Sequence, residues 1–350
     1  MKGRMTMKRY VKHTICALTA VACLTGGASA FASEAPQQIV PISAPIVPIS
    51  APAYEIMQQK WLDSMVVYGT ATLMEDGRIM LENNNENAQF EQIILNVSED
   101  TLILDAVSGL PKSVKDIREN EIIYAYVGPA MTMSLPPMTK AEVLLTSIPA
   151  DFAVPTYEEI DSVKQEENGN VIVHTNRDAT YTVTDDTELF PYLTKNIVTK
   201  HNLKPGTKLL VWKQIVQGEA VEEAAESTKM MVFPYSYNGY VQAGLENLLV
   251  NGEALELAEG EQPYVANGRL MLPFRQVVEA LGYTIEWNAE TSSIKVLRGD
   301  QEQYSFAARA TEVAKGEDTH TLIEAAALKN GVTFMTADDL LLLSGAKLAE

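Results

Sequence analysis

Four histidines, two cysteines and 46 carboxylates are the groups in this 350-residue chain from which acid–base, nucleophilic or metal chemistry would have to be built. His13, His174, His201 and His320 stand far apart, and no two share a metal-ligand spacing. The G-x-S-x-G elbow, H-E-x-x-H, the phosphate-cradling G-x-x-x-x-G-K and G-x-G-x-x-G are all missing. A pair of Asp or Glu side chains could hydrolyse a glycosidic bond, but among 46 of them no spacing singles out a pair. A carboxylate-dependent hydrolase acting on a cell-wall polymer or polysaccharide is therefore the enzymatic alternative, without named residues. His174, in a strand, and His201, before a turn, read as ordinary residues rather than general bases. Calcium is the one metal to weigh: Asn83 to Asn87 and Ser98-Glu99-Asp100 supply hard oxygen ligands, although no D-x-D-x-D-G loop is present. Arg269 and Arg275 could hold a carboxylate or a saccharide, or brace the fold through backbone carbonyls or a neighbouring acid.

Both cysteines, Cys16 and Cys23, fall in an apolar N-terminal stretch behind Lys2, Arg4, Lys8, Arg9 and Lys12. A basic region, a short apolar run and the A-x-A sites Ala28-Ser29-Ala30 and Ala30-Phe31-Ala32 read as a signal peptide over residues 1–30. Cutting after Ala30 would leave 22 basic against 46 acidic side chains, a net charge of −24, and no thiol. A Cys-ligated zinc, an iron–sulfur cluster and a disulfide framework are excluded from such a chain. The acidity disfavours nucleic acid as a partner, since that affinity comes from basic groups displacing counterions. No run is long enough to span a bilayer as a helix. Ala20-Val21-Ala22-Cys23 offers a second processing mode, as a lipoprotein held through Cys23.

The elements that must position any site follow in blocks. Residues 31–60 hold the repeat Val40-Pro41-Ile42-Ser43-Ala44-Pro45 and Val47-Pro48-Ile49-Ser50-Ala51-Pro52, a stiff proline-rich spacer. Residues 61–150 and 151–236 read as two copies of one β module. Asp76-Gly77 before Ile79-Met80-Leu81 matches Asn168-Gly169 before Val171-Ile172-Val173, at an offset of 92. Leu95 to Thr101 matches Tyr181 to Thr187, and Ile117 to Tyr126 matches Leu203 to Trp212, both at 86. Short β-branched and aromatic runs between Gly, Asn and Asp turns predict a five-stranded barrel or sandwich per copy. Trp61, Trp212 and Trp287 are spread over separate modules, which assigns one core anchor to each. Glu219 to Glu226 reads as a solvated acidic loop.

Residues 245–350 change character. Leu270-Met271-Leu272 predicts a strand, Pro273 a helix start, and Phe274, Val277, Val278 and Leu281 one apolar helical face that ends at Gly282. Strands are expected over Tyr283 to Trp287 and Ser293 to Leu297. At an offset of 63 the pattern returns: Asn330-Gly331, Thr336 as an N-cap, then Ala337, Leu340, Leu341 and Ser344, ending at Gly345. The chain stops at Glu350, so the second unit is expected to lack its closing strands.

Val250-Asn251-Gly252, Asn267-Gly268-Arg269 with Pro273 and Arg275, Glu279-Ala280-Leu281-Gly282 and Trp287-Asn288 form a distinctive string. It resembles the copper amine oxidase N-terminal-like, or stalk, domain of secreted bacterial proteins. Val332, Thr336 and Asp338 stand in the second unit where Arg269, Pro273 and Arg275 stand in the first. The resemblance implies a stalk or interaction module without copper, because the metal and quinone of copper amine oxidases belong to a separate catalytic domain. Tyr126 to Pro137 likewise resembles a segment of secreted proteins that carry this domain, either a ligand-contacting loop or a rigid connection. The expectation is a β-rich, multidomain chain: two tandem all-β modules, then a duplicated α+β stalk-type domain. It is expected to be secreted or envelope-associated and non-catalytic, with a cell-wall glycan or an envelope or host-surface protein as partner. Candidate ligand or interface residues are Arg269, Arg275, Trp287, Pro129, Met131, Thr132 and Ser134.

Overall fold

The computed structural model describes residues 64–213 and 225–349, and of residues 225–228 only the backbone. The expected signal peptide, the spacer, Trp61 and most of the acidic run Glu219 to Glu226 lie outside the described residues.

The first β module contains β1 (Met65–Leu73), β2 (Ile79–Glu82), β3 (Gln92–Asn96), β4 (Leu102–Asp105), β5 (Glu121–Met131) and β6 (Met138–Thr146). β1, β2 and β3 form an antiparallel meander; β5 joins β1, β6 joins β5, and a parallel pairing of β3 with β6 closes the ring. The result is a five-stranded barrel, with β4 added in parallel to β6. The period-two pattern selects what fills it: Val67 and Ala71 on β1, Ile79 and Leu81 on β2, and Ile123, Ala125 and Val127 on β5 all point inward and are buried.

The second module repeats this order with β7 (Thr156–Gln165), β8 (Val171–Thr175), β9 (Thr180–Val183), β10 (Glu188–Pro191), β11 (Lys208–Lys213) and β12 (Ala225–Val232). Its ring runs β9-β8-β7-β11-β12 and closes by the parallel β9–β12 pair, while β10 adds to β12 as β4 does to β6. A one-turn 3-10 helix precedes the fourth barrel strand in both, Val114–Asp116 in the first and Lys200–Asn202 in the second, 86 positions on. Both modules are thus barrels rather than sandwiches.

The barrels are not independent beads. Leu104, Ala106, Tyr126, Val143 and Leu145 of the first pack with Tyr157, Leu210, Trp212, Met231 and Phe233 of the second in one buried cluster. Trp212 Nε1 donates to the Ala106 carbonyl at 2.8 Å, and the Tyr157 amide donates to the Tyr126 hydroxyl at 2.8 Å. Trp212 therefore seals the junction between two modules instead of anchoring one, because residues on the outer face of β11 meet the neighbouring barrel rather than water.

The remaining strands are β13 (Tyr240–Ala243), β14 (Leu248–Val250), β15 (Glu253–Ala254), β16 (Tyr264–Ala266), β17 (Arg269–Pro273), β18 (Thr284–Asn288), β19 (Ser293–Arg298), β20 (Gln301–Ala307), β21 (Glu312–Lys315), β22 (Asp318–Thr321), β23 (Ala327–Lys329), β24 (Val332–Thr336) and β25 (Lys347–Leu348), with α1 (Phe274–Ala280) and α2 (Ala337–Ser344). Phe274, Val277, Val278 and Leu281 are all buried, as are Ala337, Leu340, Leu341 and Ser344. The two hairpin–helix units meet through β17 and β24, where Met271 opposes Thr336, Leu272 opposes Met335 and Pro273 opposes Phe334. Met335 lies 63 positions after Leu272, so the register centres on a residue facing its own counterpart, a local two-fold. One expectation is corrected here. The chain after α2 does form a strand: β25 pairs in parallel with β13. The backbone beyond Gly345 finds its partner in β13, a strand begun about a hundred residues earlier.

Candidate functional site

The sequence-derived candidates do not converge. Pro129, Met131, Thr132 and Ser134 sit at the tip of the β5–β6 hairpin. The β5–β6 register shifts between Val127 and Met131, and the buried Thr139 hydroxyl lies within hydrogen-bonding distance of both the Gly128 and the Ala130 carbonyls, at 2.9 and 3.0 Å. That bulge accommodates Pro129, which has no N–H for the ladder. Met131 turns inward against the barrel core. Thr132 Oγ1 and Ser134 Oγ are 2.7 Å apart, Ser134 donates to the Pro136 carbonyl at 2.8 Å, and the Met138 amide donates to Thr132 Oγ1 at 2.9 Å. The loop is braced by its own hydroxyls while Met133 and Leu135 project fully into water.

Arg269 and Arg275 lie on a different module. Arg269, at the start of β17, faces Asp338 on α2 at 3.8 Å in a nearly buried setting. Its Nη1 and both Asp338 carboxylate oxygens have no hydrogen-bond partner. Burial pushes the Asp338 carboxyl above its ordinary value, and Arg269 offsets this only in part. Arg275 pairs with Glu279 one helical turn on, at 2.9 Å in the open. Trp287, expected to be a core anchor, is 50% exposed. It stands on β18, which among the described residues pairs only with β19, at an edge of its sheet.

The oxygen-rich turns are also occupied locally. Asn83 Oδ1 accepts from the Asn85 amide and Asn85 Oδ1 from the Asn87 amide, both at 3.0 Å, and Lys140 stands 3.6 Å from Asp100. His320 Nε2 lies 3.0 Å from Asp339 Oδ1. Asp339 also accepts from the Ile323 amide at 2.9 Å and Thr336 Oγ1 at 2.6 Å, a clamp on the start of α2. Among the described residues, no group of three or more His, Cys, Asp or Glu is placed to hold a metal ion. Among them, too, no helix is long and apolar enough to cross a membrane.

What the fold does assemble is a cleft that motif reading missed. It lies where the second barrel meets the terminal domain, with a volume of about 720 Å³. The 3-10 turn delivers Lys200 and His201, held by the Thr199 amide donating to Asn202 Oδ1 at 2.8 Å. Lys204 follows, its ammonium 3.6 Å from the Tyr235 ring centre. Tyr237 and Tyr240 also line it, with Asn238, Asn251 and Arg298. Arg298 donates to Asn238 Oδ1, and Asn238 in turn donates to the Ser344 carbonyl and the Tyr283 hydroxyl, both at 2.8 Å. Burial raises the Tyr235, Tyr237 and Tyr240 hydroxyls above the usual tyrosine value, so they are protonated donors at neutral pH. A second hollow of about 300 Å³ adjoins it and shares His201, Lys204 and Tyr235. The only signal for this site in the sequence is the T-x-x-N cap ahead of Lys200; the rest comes together through the tertiary fold.

The terminal domain now has a recognisable class. Two hairpin–helix units joined by a central antiparallel strand pair define it. Residues 249–348 match the family model of the copper amine oxidase N-terminal domain, a non-catalytic, stalk-like domain. No curated protein matches the chain.

Proposed function

We propose that this protein is an exported, envelope-associated binding and structural protein in which a duplicated α+β stalk-type domain carries two barrel modules toward a wall glycan or surface protein. The observation that carries this reading is the way its modules are locked together. Lys347, on β25, reaches Glu159 at 2.8 Å and Asp161 at 3.2 Å on β7, with all three side chains largely shielded. Tyr237 donates to the same Glu159 at 3.1 Å. With the apolar cluster between the barrels, these contacts join both barrels and the terminal domain in one continuously packed unit, an arrangement suited to display. The domain limits 61–150, 151–236 and 245–350 and an N-terminal leader belong to this proposal, as do the hairpin tip and Trp287 as contact points.

Incubating the purified protein with isolated cell walls, soluble glycans and extracted envelope proteins tests the reading. Saturable retention on one of them is the expected result. Retention on none would overturn it, and so would turnover of a wall polymer that a single Asp or Glu substitution abolishes.

A further inference from the structure

The cleft between the second barrel and the terminal domain inverts the charge of the rest of the molecule. Asp and Glu outnumber Lys and Arg by 46 to 27 in the chain. Yet the described residues lining the larger hollow include Lys200, Lys204 and Arg298 and no carboxylate. Lys200 is committed to Asp185 at 2.7 Å and to the Gly169 carbonyl at 3.0 Å. Lys204 and Arg298 have no ion-pair partner among the described residues; each rests on an aromatic ring, Tyr235 at 3.6 Å and Tyr283 at 5.7 Å. Two cations left without carboxylates in so acidic a chain are placed to meet a negative charge from outside. The half-buried rings of Tyr235, Tyr237 and Tyr240 line the same cleft and offer flat apolar faces that suit the C–H faces of a sugar or polyol, while the Tyr235 and Tyr237 hydroxyls are held by the Pro205 carbonyl and Glu159. The adjoining hollow continues the groove past Lys204, which suits a chain longer than one residue.

We infer that this cleft binds an anionic carbohydrate or polyol polymer, its carboxylate or phosphodiester groups paired with Lys204 and Arg298 and its backbone laid on Tyr235, Tyr237 and Tyr240. The inference rests on the reading of the protein as a binding module and names the site and ligand class for it. Carboxylate and phosphodiester share the oxyanion chemistry recognised here.

The test is calorimetric titration of the full chain with polygalacturonate, with poly(glycerol phosphate) and with neutral dextran. The expected result is saturable binding of one or both anionic polymers and none of dextran, and which polymer binds identifies the anion. Lys204→Gln with Arg298→Gln should weaken binding about tenfold or more, since each tenfold step corresponds to about 1.4 kcal/mol. Lys115→Gln, at the exposed corresponding turn of the first barrel, should leave it unchanged. Raising salt should weaken binding by the unsubstituted protein, a readout independent of whether the variant folds. Equal binding of dextran, salt-insensitive binding, full affinity in the double variant or no binding of either anionic polymer would overturn the inference. Retention of the double variant on cell walls separates the two proposals: undiminished retention sinks the cleft and spares the binding role, whereas failure of the unsubstituted protein on walls and on all extracts sinks that role as well.

Discussion

Arg269 and Asp338 carry opposite charges 3.8 Å apart with little water and without a hydrogen bond between them. The pair links β17 to α2. Desolvating both charges offsets most of their attraction, which predicts an asymmetry between single and double replacement. Arg269→Met alone should destabilise the domain by about 2–3 kcal/mol, somewhat below the ~3–5 kcal/mol of a fully buried pair because Arg269 keeps some exposure. Arg269→Met combined with Asp338→Leu should recover most of that loss. Urea denaturation of the two variants checks both expectations, and equal losses in them would refute the account. Within the second barrel the buried Glu158 is treated differently. It accepts from Thr175 at 2.7 Å and from Tyr181 at 2.8 Å, so its charge is met by aligned donors.

At the scale of elements, helices of seven and eight residues are too short to hold themselves and depend on caps and packing. Thr336 caps α2 by accepting from the Asp339 amide at 3.1 Å, with Asp338 and Asp339 in the first turn. Thr336→Ala removes that acceptor and the donor to Asp339, and should cost about 1–2 kcal/mol in thermal or urea unfolding. Pro273, the matching residue before α1, has no side-chain cap to lose, so Pro273→Ala is expected to cost less. A reversed order would show that capping does not decide these helix starts. Gly345, at φ +60°, ends α2 in the left-handed region that a side chain resists.

For the whole molecule, the junctions decide behaviour. Gly206, at φ +87°, lets the 3-10 turn region approach the terminal domain: a Cβ there would lie 2.7 Å from the Tyr237 ring and 3.2 Å from Lys347. Burial opposes the Lys347 charge, but Glu159 and Asp161 outweigh it and raise its ammonium above the ordinary lysine value. A raised folded-state value means that this contribution is complete below the unfolded lysine value and is lost as pH climbs through the folded one. The junction should therefore loosen only above about pH 10.5. Lys347→Gln should bring that loosening to neutral pH, costing on the order of 2 kcal/mol. Hydrogen exchange in β25 and β7, followed against pH, reads it directly; identical protection in the variant and the unsubstituted protein would contradict the assignment.

Periodicity, turns and caps are local properties. They determined part of the strands, the offsets of 86 and 92, both helices with their buried faces, and the sense of the resemblance at residues 249–348. That is because a period of 2 or 3.6 and a glycine stop are written in neighbouring residues. What tertiary structure alone decided was non-local: closure of each ring by a parallel pair, Trp212 turned into a seal between barrels, β25 returned to β13, and Lys204 brought to the same cleft as Arg298. Partners that lie from about forty to more than a hundred positions apart meet only when a barrel closes or modules dock, and no short window along the chain contains both. The acidic balance legible from composition is an average, and the fold lines this cleft with cations and no carboxylate among the described residues.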